Sequence, residues 1–142
     1  MNKIAIAADH GGVDVKSMLK AELEAAGYNI IDLGTHGPDS VDYPDYADKM
    51  ADAIKNGVAE RGILICGTGI GISIAANRHR YIRAALCSSA TDARLAREHN
   101  DANVIALGAR TMGDVVIMDC VNTFLSTKFE GGRHAARVKK MS

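Results

Sequence analysis

The sequence predicts an α/β fold, a five-stranded parallel sheet with helices on both faces, and three observations predict it. Short β-rich runs alternate with stretches of helical period along the chain. The runs are apolar nearly throughout, as strands covered on both faces are. Most connections between them are short, which suits helices packed back onto the sheet. With 142 residues, the chain reads as one domain, 1–142, long enough for a core without metal or disulfide staples.

The elements follow in order. The first strand is 3-KIAIAA-8, ending in the polar turn 9-DHGG-12 that opens a helix over 12–26. A second strand, 28-YNIIDL-33, leads through the longest connection, 34-GTHGPDSVDY-43, into a helix over 44–56. The third strand, 62-GILIC-66, runs into the glycine-rich 66-CGTGIGIS-73 and a short helix over 71–77. The strands 83-RAALC-87 and 103-NVIALG-108 flank a helix over 90–98, and another helix spans 113–126. The basic segment 131-GGRHAARVKK-140 closes the chain as a helical tail, and no linker, repeat or low-complexity stretch interrupts the pattern.

Composition excludes several classes of partner. Lys plus Arg and Asp plus Glu number 17 each, so no net field favours nucleic acid or an anionic membrane. Four Tyr, two Phe and no Trp leave little for stacking bases. No apolar run approaches the roughly 20 residues of a membrane span, and 1-MNKIAIAADHGG-12 has no signal-peptide core. The three cysteines, Cys66, Cys87 and Cys120, are widely spaced and form no C-x-x-C pair. They fit free thiols in a reducing cytosol, so a cytoplasmic protein is expected. His10, His36, His79, His99 and His134 lack metal-ligand spacing with one another or with the cysteines, so no metal site is expected.

In open α/β sheets, ligands bind beyond the carboxyl ends of the strands. Polar and glycine residues gather there: 9-DHGG-12, 66-CGTGIGIS-73, 88-SSATDA-93 and 108-GAR-110. The glycine loop is not a dinucleotide fingerprint, because Gly67, Gly69 and Gly71 fall one residue short of G-x-G-x-x-G. It is not a P-loop either, since G-x-x-x-x-G-K-[ST] is absent. A glycine turn entering a helix still presents N–H groups to an anion. A thiol in that position suits proton abstraction beside a carbonyl, with the N–H groups holding the enediolate oxygen. Read alone, Cys66 also fits a buried strand-end thiol before a tight turn.

The remaining polar groups each have two readings. Asp9 and His10 share the sheet edge with Cys66, although a strand-end Asp is also an ordinary cap. His99, in 97-REHND-101, sits near a helix end, where protonated imidazole is favoured and Asn100 and Asp101 make a turn. A Cys66/His99 hydrolase would need an orienting third residue, which the sequence does not identify. Arg133 and Arg137 lie four apart, on one helix face, and suit a phosphate or a solvated tail. Arg110 reads as a third phosphate contact or a surface charge.

Five segments in order, 9-DHGG-12, 42-DYPDYA-47, 63-ILICGTGIGISIAANR-78, 97-REHNDANVIALGAR-110 and 130-EGGRHAARV-138, resemble ribose-5-phosphate isomerases of type B. Relatives in that family act on galactose 6-phosphate and allose 6-phosphate. The resemblance implies a Rossmann-like three-layer α/β/α sandwich and a homodimer or homotetramer whose active sites are shared between subunits. It also implies a small-molecule sugar phosphate as substrate, without metal or organic cofactor.

By the same resemblance, Cys66 is the base that moves a proton between C1 and C2 of the open-chain sugar. The backbone of Gly67, Thr68, Gly69, Ile70 and Gly71 forms the anion hole, with Ser73 at its far edge. Thr68 helps to move the hydroxyl proton, and His99, assisted by Asp9, opens the furanose ring. Asn100 holds sugar oxygens, Tyr43 lines the pocket, and His10, Arg110, Arg133 and Arg137 surround the phosphate. Some relatives use a glutamate base in the following helix, but 72-ISIAAN-77 has no acid, which matches the cysteine branch. Tyr81 stands where the family pattern has a glycine, away from the proposed chemistry. A sugar-phosphate-binding regulatory module without turnover is the alternative of a different class.

Overall fold

The structure, a computed structural model, describes residues 3–142; the first two residues of the amino-terminal stretch read above lie outside it. Strands β1 (Lys3–Ala8), β2 (Asn29–Asp32), β3 (Arg61–Cys66), β4 (Ala84–Leu86) and β5 (Val104–Gly108) are all parallel. Between and after them come helices α1 (Val13–Ala25), α2 (Tyr43–Lys55), α3 (Ile70–Ala76), α4 (Ala90–Asn100), α5 (Asp114–Ser126) and α6 (Arg133–Met141). Each expected strand and helix is present, with ends that differ by two residues at most.

Two local features refine the sequence reading. A 3₁₀ turn over His10–Gly12 precedes α1, because the Asp9 carboxylate accepts a hydrogen bond from the Gly11 N–H at 2.9 Å. Helix α4 continues through His99 and Asn100, so the turn expected there begins later. Asp101, at φ 47°, caps the helix in the left-handed region that Asp tolerates better than most residues.

The sheet order is β2-β1-β3-β5-β4. The chain leaves β1 toward β2 on one side and later returns to place β3 on the other. The switch point therefore lies between β1 and β3, where an open sheet leaves a crevice for ligand. Alternate residues supply opposite cores. Ile4, Ile6, Ile63, Ile65, Ile105 and Leu107 face α1, α4 and α5, packing on Leu19, Leu23, Ala96, Ile117 and Phe124. Ala5, Ala7, Leu64 and Ala106 face α2 and α3, packing on Ala47, Met50, Ile72 and Ala76. The smaller side chains on this second face let the helices approach closely. A Cβ on Gly62 would overlap the Met50 side chain.

At the far edge, the Asn77 amide accepts from the Ala84 N–H at 2.8 Å and donates to the Ala84 carbonyl at 2.9 Å. Helix α6 packs on α4. Among the described residues, no helix is long and apolar enough to cross a membrane.

Candidate active site

The β1–β3 crevice holds the first group of expected residues. Cys66 ends β3, nearly buried, and Asp9 follows β1 on the neighbouring strand. The Cys66 Sγ accepts a hydrogen bond from the Gly69 N–H at 3.1 Å, which holds the sulfur at the mouth of the loop. Gly11 lies against Gly67, joining the two strand-end turns into one surface. The other thiols differ in kind. Cys87 and Cys120 are sealed in the α4–α5 core, where burial pushes them up to about 12 and about 11 respectively.

Gly69 has φ 79°, and a Cβ there would stand 2.9 Å from the Leu107 carbonyl carbon. Only glycine meets both conditions without strain. The turn then enters α3, whose first N–H groups have no intrahelical partners. Two loop N–H groups are already engaged, Gly69 with Sγ and Ile70 with the Thr68 Oγ1 at 3.2 Å. Thr68 itself is exposed at the rim. The Ser73 hydroxyl turns inward and donates to the Ile70 carbonyl at 2.8 Å.

The walls come from other elements. The Tyr43 ring, at the start of α2, covers Gly71 so closely that a Cβ there would sit 2.6 Å from it. His10 Nδ1 accepts from the Val41 N–H at 3.1 Å, tying the long connection to the crevice. A cavity of about 480 Å³ opens between Asp9, His10, Val41, Tyr43 and Pro44, a volume suited to a small ligand. The Arg110 backbone N–H donates to the Gly67 carbonyl at 2.8 Å, and its exposed side chain crosses Gly67.

The second group lies elsewhere. Helix α4 runs back along the sheet, so His99 and Asn100 sit beside the start of β5. Cys66 pairs with Gly108 at the end of that strand, about 13 Å away at 3.3 Å per residue. Arg133 and Arg137 are exposed on α6, which packs against α4. One chain thus places Cys66, Asp9, His10, Tyr43 and Arg110 at one sheet edge, and His99, Asn100 and the α6 arginines toward the other.

The sequence reading missed two neighbours of His99. The His134 ring stacks on it, with centroids 4.3 Å apart and planes 16° from parallel. The Glu130 Oε1 lies 4.0 Å from His99 Nε2 and 3.7 Å from His134 Nε2. Burial, with His99 and Arg133 close by, holds His134 below the ordinary imidazole range. The spacing of Glu130 and His134 across Gly131-Gly132 was a readable signal, but their approach to His99 depends on α6 packing.

Known proteins share both sequence and architecture with this chain. A family described as Ribose/Galactose Isomerase matches residues 4–141. Ribose-5-phosphate isomerase B of Escherichia coli K12 is 45% identical over 142 residues, covering 100% of this chain and 95% of that protein. The solved ribose-5-phosphate isomerase B of Clostridium thermocellum superposes with a TM-score of 0.96 at 54% identity, covering 98% of this chain and 94% of that one. The type B ribose 5-phosphate isomerase of Trypanosoma brucei gives 0.95 at 44% identity, covering 99% and 97%. On the match over nearly its whole length, together with the shared fold, this chain belongs to the ribose/galactose isomerase family.

Proposed function

We propose that this protein is an aldose–ketose isomerase that interconverts ribose 5-phosphate and ribulose 5-phosphate. The observation that carries the reading is Cys66 Sγ at the mouth of the glycine loop, held by the Gly69 N–H, with Asp9 on the adjacent strand. Family membership supplies the substrate class. In this mechanism His99 protonates the ring oxygen while Asp9 accepts the anomeric hydroxyl proton, giving the open-chain aldose. Cys66 then takes the C2 proton, the loop backbone holds the enediolate oxygen, and the same sulfur returns the proton to C1. Thr68 carries the proton between the two hydroxyl oxygens. His10, Arg110, Arg133 and Arg137 hold the phosphate, Tyr43 bounds the sugar, and Asn100 orients its hydroxyls. The steps need no metal or organic cofactor.

The separation of the two residue groups across the sheet supports a homodimer in which each site draws on both copies. Tyr43, Ile70, Ile74 and Leu86 leave an exposed apolar surface beside the glycine loop, suited to receiving the second copy. Free thiols and the lack of a membrane-length helix among the described residues fit a cytoplasmic location.

The test is turnover of ribose 5-phosphate and allose 6-phosphate in deuterated water, following deuterium at C2 by NMR. Fast pentose conversion with deuterium uptake is expected. Preference for the hexose would reassign the substrate. Binding of both without turnover or exchange would make the protein a regulatory module.

A further inference from the structure

We propose that His99, Glu130 and His134 form a binding site for a divalent transition-metal ion of the zinc type, and that its occupation inhibits the enzyme. Two imidazoles and one carboxylate are a donor set that zinc, cobalt and related ions accept, with positions left open for water. The three candidate donor atoms all lie within 4.8 Å of one another. A tetrahedral ion with bonds near 2.1 Å needs donors about 3.4 Å apart. The donors must close by an ångström or so, and the His99 ring must rotate out of its near-parallel stack on His134 so that both lone pairs point at one ion, a movement open to the partly exposed His99 and Glu130 side chains.

The backbone prepares this arrangement. The Glu130 N–H donates to the Glu98 carbonyl at 3.1 Å, fixing residue 130 beside the last turn of α4. Gly131 and Gly132, at φ 72° and 55°, reverse the chain, and the His134 N–H donates to the Gly131 carbonyl at 3.1 Å. Glu130 and His134 thus converge on His99 from a tight turn. Arg133 and Arg137 weaken the local attraction for a cation, and the Glu130 charge offsets them.

The site itself stands on this geometry, whereas inhibition rests on the reading of His99 as the ring-opening acid. A metal on Nε2 occupies the lone pair that would carry the catalytic proton. The ion is a regulator here and takes no part in turnover.

The experiment titrates cobalt(II) into the metal-stripped full chain, following visible absorption, and zinc by calorimetry. Isomerase rates are measured before and after addition, and again after a chelator. One ion per chain is expected, with no cobalt–thiolate charge-transfer band. Binding should persist in Cys66→Ala and weaken at least about tenfold in both His134→Ala and Glu130→Gln. Zinc should suppress the rate of the unsubstituted enzyme, and the chelator should restore it. Glu130→Gln is nearly isosteric and half-exposed, so it separates ligation from folding. No saturable binding, or binding lost in Cys66→Ala but kept in His134→Ala, would overturn the site even if isomerisation proceeds. Binding that leaves the rate unchanged would keep the site and overturn the role given to His99.

Discussion

Gly69 and Gly71 lie two positions apart in the loop, yet they are glycine for different reasons. Gly69 combines φ 79° with contact against the Leu107 backbone, which cannot withdraw. Gly69→Ala is expected to cost about 1–2 kcal/mol from the left-handed conformation alone, with further loss from the collision. Because Gly69 also supplies the N–H to Cys66 Sγ, its replacement should lower both Tm and kcat. The three atoms nearest a Cβ on Gly71 all belong to the Tyr43 side chain, which is 40% exposed and not backbone. Gly71→Ala should therefore leave Tm nearly unchanged and raise KM; thermal melts with steady-state kinetics separate the two cases. Cys66→Ala should lower kcat by about 10²–10⁴-fold, the usual range for a lost general base, with substrate affinity retained. Residual activity within tenfold of the unsubstituted enzyme would remove Cys66 from that role.

Between elements, a buried ion pair joins α1 to the end of β2. Lys16, almost fully buried, donates to both Asp32 carboxylate oxygens, at 2.8 and 2.7 Å. Burial alone would raise the Asp32 pKa, but the Lys16 hydrogen bond, the Gly34 N–H and the Lys16 and His36 charges outweigh it and lower it from 3.8. A carboxylate lowered in the folded state stabilises the fold fully above its unfolded value and less as pH falls through its folded one. Asp32→Asn leaves a buried ammonium unpaired, a loss of about 3–5 kcal/mol near neutral pH. Urea denaturation should show that difference holding at neutral pH and narrowing below 3.8.

The elements themselves were legible because apolar runs and helical periods are local signals. Their lateral order was not, since nothing within 83-RAALC-87 says that β5 will insert between it and β3. The same limit applied to the site. Cys66, Asp9 and Arg110 could be grouped by the strand-end rule, whereas the His99–Glu130–His134 cluster depends on how α6 lies against α4. His99 itself could be picked out, but its placement away from Cys66 follows from helix direction and the added residues of α4.

For the whole molecule, the proposed homodimer with shared sites makes a prediction about mixtures. Cys66→Ala and His99→Asn are each expected to be inactive alone. Unfolded and refolded together, they should form hybrids with one intact site and one doubly substituted site. Equal mixing then restores about a quarter of the unsubstituted activity by twofold symmetry. No recovery in a mixture shown to contain hybrids would place all catalytic groups in one chain.

The Asn77 amide, clasping both backbone groups of Ala84, bears on colloidal behaviour. β4 is an outer strand, and an uncovered outer strand is a template on which other chains polymerise. Asn77 occupies the place an intruding strand would take. Asn77→Ala should fibrillise or precipitate sooner under agitation, seen by light scattering, while freshly purified protein keeps its turnover. The amide that caps the end of α3 is thus expected to shield one residue of the outer strand from pairing with another chain.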